Sequence, residues 1–324
     1  MPARRLPLLL FGAFFALYFI WGSTYLAIRF GVESWPPMLM AGVRFVIAGG
    51  LMFAWLRWRG APLPTWREWR GAGVVGILLL SCGNGGVTVA EHWGVSSGVA
   101  ALAVATVPLF TLLFSQLFGQ RNTTLEWGGI VLGLFGIVLL NLGSNLQASP
   151  AGAGLILFAA ASWAFGSVWS RRLSLPAGPM ASAAEMLVGG AVLLVGSLAS
   201  GERLEHWPST SGWLALVYLI LFGSIIAFSA YQYLLRNVRP AAATSYAYVN
   251  PAVAVLLGTL FAGERIGGIE GLAMLVIISA VVLIGLPSGA PAAPPPECLK
   301  RSLRRAAPCC GAAPGWAGLT GVRR

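Results

Sequence analysis

Apolar runs of about 20 residues recur along almost the whole chain, and only short connections rich in arginine separate them. A helix of that length crosses roughly 30 Å of hydrocarbon. Inside hydrocarbon the backbone has no water to bond with, so each run must satisfy its own N–H and C=O groups as a helix. Charged residues make up only 10% of the 324, against about a quarter in soluble domains. The chain reads as an all-α polytopic membrane protein with the lipid bilayer as its solvent.

Charges and Pro/Gly punctuation place ten spans, at about residues 8–29, 38–57, 70–90, 97–118, 126–142, 152–170, 180–199, 212–235, 241–262 and 267–286. The first follows Arg4 and Arg5 and shares the basic start and apolar core of a signal peptide. No small-residue cleavage site ends it, so it is kept as a span. From Pro287 the composition turns to APAAPPPE and basic residues, which cannot build a core; residues 288–324 are expected to be a disordered tail.

A net charge of +11 would ordinarily suggest nucleic acid or anionic lipid, but its placement says otherwise. Cytoplasmic connections retain Lys and Arg. With the N-terminus inside, 17 basic residues fall on the inner side, six of them in the tail, and Arg29, Arg203 and Arg265 fall outside. Both termini are expected in the cytoplasm, and no nucleic-acid partner is expected. Of the four cysteines, Cys82 lies in an apolar run and the others in the tail, without zinc spacing. No metal or other cofactor is expected.

The two halves of the chain repeat each other. GVAALAVATVPLFTLLFSQLFGQR (98–121) matches AAATSYAYVNPAVAVLLGTLFAGER (241–265), setting Pro108 against Pro251, and PPMLMAGVRFVIAGG (36–50) resembles GPMASAAEMLVGG (178–190). Five spans per half is an odd number, so the second copy must enter the membrane inverted, as in many secondary transporters. The domains are then residues 1–143 and 152–287, two inverted five-helix repeats. WGSTY at 21–25, the setting of Arg44 in the second span, the midspan prolines and the GQR and GER endings resemble the drug/metabolite transporter superfamily, specifically its EamA-like members. The resemblance covers about residues 8–286. It implies export or exchange of a small-molecule substrate, often an amino acid or related compound, across the inner membrane.

Pro108 and Pro251 each remove an N–H and displace the carbonyl four residues earlier, which predicts two midplane helix kinks around a central site. TSYAYVNP puts Tyr246 and Asn250 on one helical face, able to hold a polar metabolite or equally to bond a neighbouring helix. Trp21 and Trp163, repeat partners away from the span ends, and Asn84 among the glycines of CGNGG complete the candidate substrate-binding set. Arg44 stands six residues into its span, about 9 Å deep. A cation there needs a partner or water. It reads as a structural or gating cation with Glu91 as a candidate partner, and contact with a substrate carboxylate is the lesser alternative. Glu185 is the one acid well inside a span; a carboxyl held out of water can exchange a proton during a transport cycle.

Alternating-access secondary transport is the reading these features favour; for Glu185, proton coupling stands beside two alternatives, a hydrogen-bonded neutral acid or one reached by cytoplasmic water, and the coupling ion stays open. An integral membrane enzyme is opposed by the absence of Asp and of any His/Glu pair at metal spacing. Lys300 in the tail is the only lysine, so a GxxxxGK[ST] phosphate loop is absent and this chain does not pump with ATP. A non-transporting structural membrane protein is the third reading. Substrate identity and homo-oligomerisation stay open.

Overall fold

The computed structural model describes residues 5–93, 95, 100, 103–140, 142, 149–253 and 268–286. The first residues of the fourth expected span, the end of the ninth, the 143–148 connector, the tail, and the side chains of Glu91 and Arg29 lie outside what is described. All regular structure among the described residues is helical. In chain order we label α1 (residues 5–32), α2 (Pro37–Trp58), α3 (residues 66–92), α4 (Val107–Leu117), α5 (Thr124–Leu140), α6 (Pro150–Trp169), α7 (Pro179–Ala199), α8 (Thr210–Asn237), α9 (residues 240–253, with a turn at Ser245) and α10 (Gly268–Gly285).

Among the described residues, five helical stretches are long and apolar enough to cross a membrane: Pro37–Trp58, Trp66–Ala90, Pro150–Arg172, Pro179–Ala199 and Thr210–Asn237. Leu8–Thr24, Val107–Leu117, Thr124–Leu140 and Gly271–Gly285 are shorter apolar helices. Many of their large side chains point outward, among them Phe11, Leu51, Leu117, Val131, Phe158, Val195 and Leu275. In water this surface would be untenable; in lipid it costs nothing, because acyl chains are as apolar as leucine.

The helix starts follow local chemistry. Thr65 and Glu68 form a reciprocal capping box at the start of α3, and Thr123 with Glu126 does the same for α5, the Thr123 N–H donating to Glu126 Oε2 at 2.8 Å. Ser149 and Ser209 cap α6 and α8 by accepting from Gly152 and Gly212 N–H, each at 3.1 Å. Prolines open α2, α6, α7 and α9, where a missing N–H costs no bond. Gly60 and Gly201 stand two residues past the ends of α2 and α7 in the left-handed region, φ +82° and +76°.

Without a hydrophobic force between helices, close backbone approach holds the bundle, and small residues permit it. Gly42 of α2 faces Leu194 of α7, Gly49 faces Ala183 and Leu187, and Gly190 faces Phe45 and Val46, so the two helices run antiparallel. In α5, Gly129 lies on Ala280 and Ile284 of α10 and Gly136 on Ile277, again antiparallel. Two further antiparallel pairs join helices of different halves. Trp21, Ser23 and Gly31 of α1 meet Gly223, Tyr218 and Ala215 of α8. Gly83 and Gly86 of α3 meet Trp163 and Ala159 of α6.

Three stretches wind as π-helix: Ala16–Ile20, Ile77–Gly85 and Leu219–Phe228. Such widened turns are rare and concentrate at functional positions. Here the first ends immediately before Trp21, and the other two contain Gly83 with Asn84, and Gly223 with Ser224.

At one end of the bundle arginines bond carbonyls at helix C-terminal ends, the favourable place for a cation, and in the connections. Arg171 donates to Leu235 O at 2.7 Å and Val238 O at 2.5 Å, Arg172 to Phe118 O, and Arg236 to Pro176 O at 3.2 Å. Arg239 clasps the buried Glu126, Nε to Oε1 at 2.5 Å and Nη2 to Oε2 at 2.8 Å, and reaches Arg121 O at 2.8 Å. At the other end Glu202 accepts from the first N–H groups of α2, Met38 at 3.1 Å and Leu39 at 2.9 Å.

Candidate functional site

Four aromatic rings from four helices meet in the interior. Trp21 follows the first π segment on α1, Trp163 lies in the second half of α6, Tyr231 follows the π segment of α8, and Tyr246 follows the turn of α9. The Trp21 ring is 5.7 Å from Trp163, 5.3 Å from Tyr231 and 4.8 Å from Tyr246, the first and last edge-on. Tyr231 in turn lies 5.5 Å from Trp163 and 5.6 Å from Tyr246. Offset and edge-on pairs at these separations are the attractive arrangements of rings.

Polar tips fix each ring. The Trp21 indole N–H donates to Gly223 O at 3.0 Å, and that of Trp163 to the Tyr231 hydroxyl at 3.0 Å. The same hydroxyl bonds Ser167 Oγ at 2.6 Å. Tyr231 and Tyr246 are buried, whereas Trp21 and Trp163 are partly exposed and form the accessible side of the cluster. A partly apolar solute can lie against such faces, with indole and phenol groups to orient it.

The sequence pointed to three of the four rings. Tyr231 was missed: YQYLL near the end of α8 reads as an ordinary amphipathic helix end, and only the packing of α8 between α1 and α6 turns Tyr231 inward. Asn250, one turn beyond Tyr246, is buried and belongs to a seam with α1. With its nitrogen facing the carbonyls, the amide donates to Tyr246 O and Tyr18 O, each at 3.2 Å, and Tyr18 Oη bonds Ser245 Oγ at 2.7 Å. Asn84 stands apart from the cluster, half-buried in the π segment of α3, and among the described residues its carbonyl accepts from Thr88 Oγ1 at 2.9 Å.

The prolines sit differently from the expected midspan kinks. The interruption before α4 is a turn at Ala105–Thr106, and Pro108 is the second residue of the helix that restarts there, a position where its missing N–H costs no helix bond. In α9 the turn falls at Ser245, six residues before Pro251, whose own stretch from Tyr246 is helical.

Arg44 is 5% exposed on α2. Its Nε donates to Ser224 Oγ at 2.7 Å, the guanidinium carbon lies 4.7 Å from the Phe45 ring centre, and Nη2 stands 3.0 Å from where a Cβ on Gly223 would be. Among the described residues no carboxylate pairs with it. The side chain is turned inward onto α8 and does not snorkel. Gly223 therefore carries Trp21 on its carbonyl and Arg44 against its α-carbon. Glu185, fully buried on α7, accepts from Gln232 Nε2 through Oε2, while Oε1 has no partner. Gln232 follows Tyr231, so one turn of α8 holds both the cluster and the acid. Gln232 and Ser224 were also missed; the signal available was polarity inside an apolar run, which does not say what it faces.

The model of the EamA-like transporter family matches twice, over residues 9–142 and 150–286. The uncharacterized inner membrane transporter YedA of Escherichia coli K12 is 61% identical over 277 residues, 86% of this chain and 90% of the relative. The uncharacterized transporter YdfC of Bacillus subtilis is 29% identical over 248 residues, 76% and 80% of the two chains. A WAT1-related chloroplastic protein of Arabidopsis thaliana is 27% identical over 285 residues, 84% and 68%. One solved crystal structure superposes with a TM-score of 0.71 at 23% identity, covering 86% of this chain and 97% of the other, a likeness of fold. With two matches of the family model spanning nearly all the described helices and a relative at 61% identity, the chain belongs to the EamA-like transporter family.

Proposed function

We propose that the protein is an inner-membrane secondary transporter that exports or exchanges a small metabolite by alternating access between two inverted five-helix halves. The observation that carries this reading is the aromatic cluster, built from α1 of the first half and α6, α8 and α9 of the second. A solute held there touches both halves, so relative motion of the halves changes which side reaches it.

The packing supports inversion. Helices α2 and α7 are repeat equivalents and lie antiparallel, as are α5 and α10. The α1–α8 and α6–α3 pairs are exchanged by the same relation, with a tryptophan against a glycine in a π segment each time: Trp21 with Gly223, Trp163 with Gly83. Both chain ends are assigned to the cytoplasm, from the excess of arginine in the connections that would face it.

Glu185 is the coupling candidate. A carboxylate buried with one unpartnered oxygen is costly, and protonation turns that oxygen into a hydroxyl that no longer needs a donor. Its neighbour Gln232 links it to the cluster. The purified protein in proteoliposomes, tested in counterflow with a panel of labelled amino acids and organic acids, should move at least one solute. Transport driven by an imposed pH gradient should fall at least tenfold in Glu185→Gln, while counterflow, which needs no net proton movement, is retained. Flux of no solute under any gradient overturns the transporter reading; an unchanged pH-driven flux in Glu185→Gln overturns the coupling.

A further inference from the structure

Among the described residues no carboxylate balances the Arg44 guanidinium, which is buried within the helix bundle. Of its five N–H groups only Nε has an acceptor among the described residues, the neutral Ser224 hydroxyl. Burial beneath α8 keeps it from lipid headgroups, and the Phe45 face supplies only a weak attraction. A cation in this position needs a counter-charge, and a transporter can take it from its cargo. Arg44 and Trp21 share Gly223 as neighbour, Arg44 against its α-carbon and Trp21 on its carbonyl, so one residue separates the guanidinium from the aromatic cluster.

We infer that Arg44, seated on Gly223 and Ser224, is the subsite for the carboxylate of an amphipathic cargo whose apolar part lies against Trp21 and Trp163. This rests on the transporter reading and goes beyond it by assigning the chemical class of the cargo. Three arguments select the class. The planar fork of an arginine matches the two oxygens of a carboxylate. One positive charge balances one negative charge, whereas a dianionic phosphate monoester would leave a net charge in hydrocarbon. The aromatic faces next door would repel a strongly hydrated ion and welcome a ring or a branched chain.

The same geometry gives Ser224 and Gly223 distinct tasks. Ser224 holds Nε and so aims the two outer nitrogens. Gly223 must lack a side chain, because a Cβ there would stand 3.0 Å from Nη2 and 3.1 Å from Thr24 Cγ2.

The test is equilibrium binding to the purified full-length protein in detergent, using 3-phenylpropionate and L-phenylalanine, their carboxamides, and phenyl phosphate. At least one carboxylate should bind ten or more times tighter than its own carboxamide and tighter than phenyl phosphate. Arg44→Gln should bring that ratio close to one, and Arg44→Lys should keep part of it. Gly223→Ala, which displaces the guanidinium without removing its charge, should also lower the ratio and serves if Arg44→Gln is not monodisperse. Equal binding of acid and amide, a ratio that survives in folded Arg44→Gln, preference for phenyl phosphate, or binding of neither carboxylate overturns the assignment. Counterflow separates the two readings: a solute that moves without regard to its carboxylate overturns this subsite alone, while no flux of any solute overturns the transporter.

Discussion

The Tyr231 hydroxyl has two partners, Ser167 Oγ at 2.6 Å and the Trp163 indole at 3.0 Å, and no access to solvent. Replacing Tyr231 by Phe keeps the ring contacts and strands the indole N–H, since Ser167 retains its second bond to Trp163 O at 2.6 Å. The expected cost is about 1 kcal/mol, the scale of one buried hydrogen bond within a membrane. A lower melting temperature in detergent and a several-fold drop in flux at normal expression would show it; unchanged flux would mean that the indole needs no fixed orientation. At this scale the sequence was partly legible. Trp21, Trp163 and Tyr246 announce themselves, because large amphipathic rings inside apolar spans are expensive to leave facing lipid. Of the two roles its spacing allowed for Asn250, the contacts in the structure are those of an interhelical bond: its amide joins α9 to α1. Arg44 was legible as a problem but not as a solution, since Ser224 is 180 residues away in sequence.

Among the elements, α2 begins with Pro37 and has no side-chain cap of its own. Glu202, from the connection after α7, supplies the missing acceptor to Met38 and Leu39 N–H and is held in turn by Ser197 Oγ at 2.8 Å. A carboxylate at a helix N-terminus adds attraction to the helix dipole. Glu202→Ala should destabilise the protein by about 1 kcal/mol, and Glu202→Gln by less. Thermal melting checks both; equal losses would mean that charge contributes nothing. The caps at Thr65 with Glu68, Ser149 and Ser209 act within three residues, so these boundaries are set by local chemistry alone. The breaks before Pro108 and Pro251 are not. Proline forbids a bond at a known place but does not fix where the helix turns; at the turns themselves Thr106 Oγ1 donates to Ala103 O at 2.5 Å and Ser245 Oγ to Ala242 O at 2.7 Å.

For the whole molecule, the membrane class and family were plain from apolar run length and from the likeness of the halves, both properties of the chain that need no tertiary knowledge. The sidedness proposed from arginine placement can be measured directly. Ala61→Cys, in the connection after α2, should resist a membrane-impermeant thiol reagent in whole cells, and His206→Cys, before α8, should react; the same result at both sites would overturn the orientation. The seam between α2 and α7 carries a mechanical corollary. A Cβ on Gly49 would stand 2.9 Å from Ala183 O, and one on Gly190 would stand 2.8 Å from Val46 N. A joint with main chain against main chain has no side-chain slack to compress, so on the transporter reading we expect it to act as a fulcrum: tilting one arm would oblige the other to swing with it.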